Sequence, residues 1–414
     1  MNQNDSRNNN YYLEQAWKPQ QKKTVSIPVL IVSIVLTALI AFQMAFVVLN
    51  IEHTLELNKT KERVRNFGVL LEALEFFDEN YVYEIDEKTL IEHMLYAFGG
   101  QDMYSTYYTP EEFNEMISSS QGEASGIGVY ITGTATTMEV TYVITDSPAQ
   151  KAGMKMGDKI IAVDGQKVSE VGYNQTMNLI VGQLGTTVVI TVSRNGEIID
   201  LPVVRGNYVS ETVIFSEMQE NGEKIGYINI VQFDAITVTQ FKTAVETLKA
   251  SGCEKLVFDI RSNPGGELTS IAEILDYLLP KGPVVHILDK NKEVIYTYQS
   301  DENCVDMPMA VLINENTASA AELFASALRD YNKATLVGMK TYGKGCGQNP
   351  FFLSNGGVIY ITTFFYNPPY GENYDGVGVY PDIEVEIADE YKNALFPPYE
   401  ADTQLKAAIE ALTK

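Results

Sequence analysis

Between Val311 and Gln348 the sequence VLINENTASAAELFASALRDYNKATLVGMKTYGKGCGQ gathers residue types suited to acyl transfer. Ser319 lies at the expected start of a helix, where the dipole and free amides, Ala320 N–H among them, stabilise developing negative charge. It also opens Ser319-Ala-Ala-Glu322, a capping box, so a purely structural reading competes with the nucleophilic one. A serine nucleophile needs a base. His53 abuts a long apolar run, His93 falls in helical spacing and His286 sits in the strand-like PVVHIL, so a Ser-His-Asp triad is not expected. Lys344 remains, flanked by Gly343, Gly345 and Gly347, where the backbone can turn tightly beside another side chain. Free lysine titrates near ~10.4 and a base working at neutral pH wants about 7–8. Desolvation of the ammonium can supply that shift, roughly 4 kcal/mol. The competing reading is a solvated loop charge.

The elements that must position these groups follow from apolar periodicity. Met309–Ile313 reads as a buried strand, Asn314–Ala318 as a turn, Ser319–Asp330 as a helix and Ala334–Val337 as a second strand. Upstream, Lys224–Ile230 and Lys255–Ile260 read as strands around a helix, Thr237–Ala250. Arg261-Ser-Asn-Pro-Gly-Gly266 then turns into the helix Glu267–Leu279. Strand, Gly-Gly turn and helix together present amides as an anion nest, suited to an oxyanion hole with Gly265 or Gly266 donating beside Ala320. A plain strand–helix turn is the alternative. From about Ser119 the texture changes to short β runs. Ser125-Gly126-Ile127-Gly128-Val129, Ser147–Gly153 and Gly157–Gly165 together resemble a PDZ domain closing near Val204. An exposed strand edge and the free amides of Gly126, Ile127, Gly128 and Val129 could pair with an extended peptide and hold its terminal carboxylate.

T-A-S-A-A-E followed about 25 residues later by G-K-G-C-G-Q is similar to the C-terminal processing peptidases, or tail-specific proteases. The resemblance implies Ser319 as nucleophile, Lys344 as general base and Gln348 as the residue orienting the lysine. It also implies a protease core of the crotonase/ClpP-like type within a multidomain α+β chain. Asp259–Gly266 matches the family's D-L-R-x-N-P-G-G, and Gly376–Asp382 its G-x-G-x-x-P-D turn. The departures are Thr317 and Ala321 for Ser, Cys346-Gly347 for Ser-Val, Asp375 for His and a partial L-D-P-x-S at Gln101–Ser105. Val181-Gly182 also lacks the Arg that many relatives carry before this glycine. The likeness covers roughly residues 65–412.

Lys+Arg 30 against Asp+Glu 54 gives a net charge of −24, which excludes nucleic acid and anionic headgroups as expected partners of the soluble part. Cys253, Cys304 and Cys346 have neither metal nor CxxC spacing. No H-E-x-x-H or Cys/His cluster calls for a metal or cofactor. Gly338–Gly345 nearly spells a phosphate-binding loop, but Gly345 replaces the Ser/Thr that would hold Mg²⁺. Residues 1–24 read as a disordered tail. Thr24–Ile51 is uncharged and long enough to cross a bilayer, so 25–51 is expected to be a single uncleaved membrane anchor, with a cleaved signal peptide as the rival. Lysines and arginines flank both ends. The family resemblance, not charge, therefore places the bulk outside the cytoplasm. The expected organisation is a helical region at 52–118, a PDZ-like domain at 119–205 and a serine protease core at 206–414. The expected activity is an endopeptidase acting on C-terminal segments of exported polypeptides, with a homo-oligomer left open. An inactive, membrane-tethered PDZ scaffold is the alternative.

Overall fold

The computed structural model describes residues 44, 58–84, 86–133, 136–220, 222–392 and 394–413. The expected anchor at 25–51 lies outside the described residues except for Met44; among the described residues no helix is long and apolar enough to cross a membrane. The chain divides into two compact units, Met1–Leu90 and Ile91–Lys414. In the first, residues 58–80 are helical.

The second unit opens with α1 (Glu87–Gly99, ending in this unit), the short strand β1 (Thr106–Tyr108) and α2 (Pro110–Ser120). Thr109 caps α2 in a capping box with Glu112, and Pro110 takes the first turn, where its missing N–H costs nothing. A six-strand antiparallel sheet follows, with the main order β2 (Val129–Gly133), β3 (Met138–Val143), β4 (Lys159–Val163), β5 (Thr187–Arg194) and β6 (Glu197–Val204) and a two-residue strand, Gln166–Lys167, paired to β4. The helix α3 (Val168–Ile180) precedes β5, and residues such as Val140, Ile160, Val188 and Ile190 fill the small core.

The larger domain has a six-strand sheet ordered β7 (Val213–Glu220), β8 (Glu223–Ile230), β9 (Lys255–Asp259), β12 (Met309–Ile313), β13 (Ala334–Gly338) and β16 (Ile383–Glu384). All its pairings are parallel except β7 with β8. Parallel strands need crossovers, and helices take part in three of the four: α4 (Ala235–Ala250), α5 (Leu268–Leu278) and α6 (Ala320–Asp330). Phe233, Phe241, Phe258 and Phe324 pack ring on ring between these helices and the sheet. Each fully buried Phe contributes roughly 1.5–3 kcal/mol. On the opposite face α7 (Thr403–Thr413) lays Leu405, Ala408 and Ile409 against Val257, Leu312 and Val337. A strand covered on both faces reads as continuous apolar sequence, as MAVLI in β12 does. A second sheet joins β1, β15 (Val358–Asn367), β10 (Gly282–Leu288) and β11 (Val294–Ser300), with β14 (Cys346–Phe352) also on β15.

Candidate active site

Ser319 stands where β12 gives way to α6, in a backbone conformation (φ 57, ψ −123) that side-chain-bearing residues rarely adopt. Such a residue persists only where its surroundings over-determine it, and here they do. The Ser319 N–H donates to Glu322 Oε2 at 2.9 Å, and Ala318 N–H donates to the Asn263 carbonyl at 2.9 Å. Gly265 comes so close that a Cβ on it would lie 2.7 Å from Ser319 Cβ, so only glycine fits. The capping box is therefore present in its Glu322 half. The Ser319 hydroxyl is turned instead to the Tyr366 phenol, 3.3 Å away.

Glu322 does more than cap. Its carboxylate is completely buried and also accepts Lys344 N–H at 2.7 Å, Gly343 N–H at 2.7 Å and the Thr341 hydroxyl at 2.5 Å. One side chain thus fixes the backbone of both Ser319 and Lys344. Burial raises its proton affinity, opposed by these four hydrogen bonds.

Lys344 Nζ donates to Gln348 Oε1 at 3.1 Å, and Gln348 Nε2 donates to Thr362 Oγ1 at 3.1 Å. These bonds fix the amide orientation of Gln348, with oxygen toward the lysine. Desolvation lowers the Lys344 pKa, opposed by the negative charge of Cys346, Asp102, Asp375 and Glu322 in their ionised forms. The Cys346 thiol is itself pushed up to about 11 by burial, so it is neutral in ordinary buffers. Lys344 Nζ and Ser319 Oγ share no direct hydrogen bond among the described residues. They open on one cleft of about 680 Å³, with Gly266, Ala320 and Gln348 on its walls.

Of the two glycines read as oxyanion donors, Gly265 is corrected: its N–H donates to Asn263 Oδ1 at 2.8 Å and is not available. Gly266 pairs with Phe233 through its neighbours, Phe233 N–H to Gly265 O and Glu267 N–H to Phe233 O. In a parallel bridge this directs the Gly266 N–H away from Phe233. Neither it nor the Ala320 N–H has a partner among the described residues, and both residues line the cleft. Asn263, fully buried, ties this loop to β8 by donating to the Ile230 carbonyl at 2.7 Å.

Asn263, Glu322, Tyr366 and Thr362 were not singled out from sequence as site residues. The first two stood inside quoted motifs, and a buried role for them could have been read there. Tyr366 and Thr362 carry no local signal. His286 is structural as expected: its ring nitrogens meet Thr297 Oγ1 at 2.8 Å and the Pro369 carbonyl at 3.1 Å.

In the smaller domain Gly126 ends a short strand, Ile127 is buried, and Gly128 (φ 76) packs so tightly on Ser147 that a Cβ would collide. The Ile127 and Gly128 carbonyls accept Ala149 and Ile144 N–H, at 2.8 and 3.1 Å. Val129 opens β2, an edge strand of the sheet. Gly182 has the Arg205 guanidinium against it, and that group donates to the Leu179 and Ile180 carbonyls at the end of α3.

The fold and the cleft define a serine-type hydrolase carrying a PDZ domain. The profile of peptidase family S41 matches residues 224–385 and that of the PDZ domain residues 125–204. A carboxy-terminal-processing protease of Bartonella bacilliformis is 31% identical over 347 residues, covering 80% of this chain and 78% of that protein. A carboxyl-terminal-processing protease of Picosynechococcus is 32% identical over 318 residues, 76% of each. A crystal structure assigned to the S41 proteases, from Bacteroides fragilis, shares the fold (TM-score 0.57) at 19% identity, over 81% of this chain and 92% of that one. The chain belongs to the carboxyl-terminal-processing proteases of peptidase family S41.

Proposed function

We propose that the protein is a Ser/Lys endopeptidase that trims loosely folded C-terminal segments of exported polypeptides. One observation carries this reading: a half-buried lysine, held by Gln348, faces the same cleft as a strained serine and two amides that have no partner among the described residues. Ser319 Oγ attacks the scissile carbonyl while neutral Lys344 takes its proton. The Gly266 and Ala320 N–H groups hold the oxyanion. As the tetrahedral intermediate collapses, the C–N bond breaks and Lys344 returns the proton to the leaving amine. Water, deprotonated by the same lysine, then hydrolyses the Ser319 ester and frees the enzyme. The PDZ domain takes the substrate's extended end along the β2 edge, with amides of the Gly126–Val129 loop toward its carboxylate. The uncharged run at 25–51 anchors the chain so that this domain and the protease core lie outside the cytoplasm.

The test compares wild type, Ser319→Ala and Lys344→Ala on an unstructured peptide with an apolar C-terminus. Both variants are expected to lose at least about 10³-fold in kcat, the order seen when a nucleophile or its base is removed. Equal turnover in all three would remove the mechanism. Peptide binding without turnover in any of them would make the protein a tethered scaffold.

A further inference from the structure

Lys344 Nζ lies 4.6 Å from the centre of the Tyr104 ring, over its face. Tyr104 belongs to neither β14 nor the nucleophile loop; it comes from the turn between α1 and β1. That turn is tightly built. Asp102 Oδ1 accepts Tyr104 N–H at 2.7 Å and Ser105 N–H at 2.6 Å, and Asp102 Oδ2 accepts the Ser105 hydroxyl at 2.7 Å. Ser105 Oγ in turn accepts Thr362 N–H at 3.0 Å, which pins the turn to β15. Thr362 Oγ1 is also the acceptor for Gln348 Nε2. A single residue of β15 thus registers both the amide that holds the lysine and the turn that carries the ring.

We propose that Tyr104 is a positioning residue for the lysine base, its ring face setting where the amine sits and how readily it gives up its proton. The ring acts in two opposed ways. Its bulk keeps water from the ammonium, which favours the neutral amine, while its π-face attracts the ammonium, which favours the charged one. Among the described residues, the ionisable groups that bear on the amine are Asp102 and Tyr104 of the turn, Glu322 of α6, Cys346 of β14 and Asp375 of the loop after β15. None of the substitutions below changes the other four. The inference rests on the role proposed for Lys344, but its main readout does not require turnover.

The two effects can be separated by variant. Tyr104→Phe keeps ring and cover. Tyr104→Leu keeps an apolar cover without a π-face, and Tyr104→Ala removes both and admits water. The titration of Lys344 is followed in the full chain carrying Ser319→Ala, by NMR of ¹³C-labelled lysine side chains, with the Lys344 signal identified by its loss in Lys344→Arg. The midpoint is expected to be unchanged in Tyr104→Phe. It should fall in Tyr104→Leu by roughly half a pH unit to one unit and rise by a similar amount in Tyr104→Ala. In the active background the acid limb of kcat/KM should move in the same directions. One midpoint shared by all three variants would overturn the proposal, as would Leu and Ala shifting together. If Tyr104→Ala does not fold, the Phe and Leu variants decide alone. Lys344→Ala losing cleavage while no Tyr104 variant moves the midpoint would sink this inference and leave the catalytic reading intact. Ser319→Ala cleaving like wild type would sink that reading, and the lysine titration would still report on Tyr104.

Discussion

Glu322 shows how much can rest on one carboxylate. An ionised carboxylate only accepts, and each hydrogen bond Glu322 makes comes from a donor. Glu322→Gln preserves shape but points an NH₂ at one pair of those donors. The expected result is a loss of about 1–3 kcal/mol in unfolding free energy, read by denaturant titration. Activity should fall further than stability explains, because the Ser319 and Lys344 backbones both shift. A Gln variant with wild-type stability and kcat would show that the clamp is dispensable. Ser319-Ala-Ala-Glu322 was legible in sequence as a capping box, and the structure keeps that reading for Glu322. Its second task, holding Gly343 and Lys344, was not legible, because a donor about 20 residues away leaves no mark in local spacing. Tyr104 and Thr362 lie further still from view. Ser105 and Thr362 meet across 257 positions of sequence, and only the paired strands β1 and β15 bring them together.

At the scale of elements, the Gly-Gly loop is positioned from behind by Arg261. Its guanidinium meets Asp259 (Nη2 to Oδ2, 2.6 Å) and, two-pronged, Asp402 (3.0 and 2.8 Å), and it reaches Gln404 Oε1 at 3.1 Å. Tyr227 adds a hydrogen bond to Asp259 at 2.7 Å. Both aspartates are buried, so this network joins β9, the start of α7 and the loop carrying Gly266. Arg261→Met would leave two buried carboxylates facing each other without their cation. A loss of about 3–5 kcal/mol is expected, the usual cost of breaking a buried ion pair from one side. Asp402→Asn keeps the Asp259 partner and should cost less. Unfolding midpoints in denaturant check both, and an Arg261→Met loss under about 1 kcal/mol would contradict the assignment. The strands and helices here were readable within a residue or two, because continuous apolar runs such as LVF and MAVLI announce strands buried on both faces. Which of Gly265 and Gly266 has a free N–H was not readable. It depends on Asn263 folding back onto Gly265.

For the whole molecule the governing quantity is a charge of −24 on 414 residues. On the reading proposed above, a free C-terminal carboxylate must approach this field. Arg205, the cation beside Gly182, is spent on the carbonyls that end α3. In the proposed mode, capture rests on backbone amides and the β2 edge, which act only at contact, while the long-range field opposes acidic substrates. That field is screened within about 10 Å at 0.1 M salt and reaches about 30 Å at 0.01 M. For two unstructured peptides with the same apolar C-terminus, one acidic and one basic upstream, kcat/KM should respond oppositely to salt. The acidic peptide should be cleaved several-fold faster as ionic strength rises from about 0.01 to 0.15 M, and the basic one more slowly. The effect should appear in kcat/KM rather than kcat, since it acts on encounter and not on the chemical step. Identical salt responses for both peptides would mean that the charge lies away from the substrate's path, and that local contacts at the β2 edge alone govern entry.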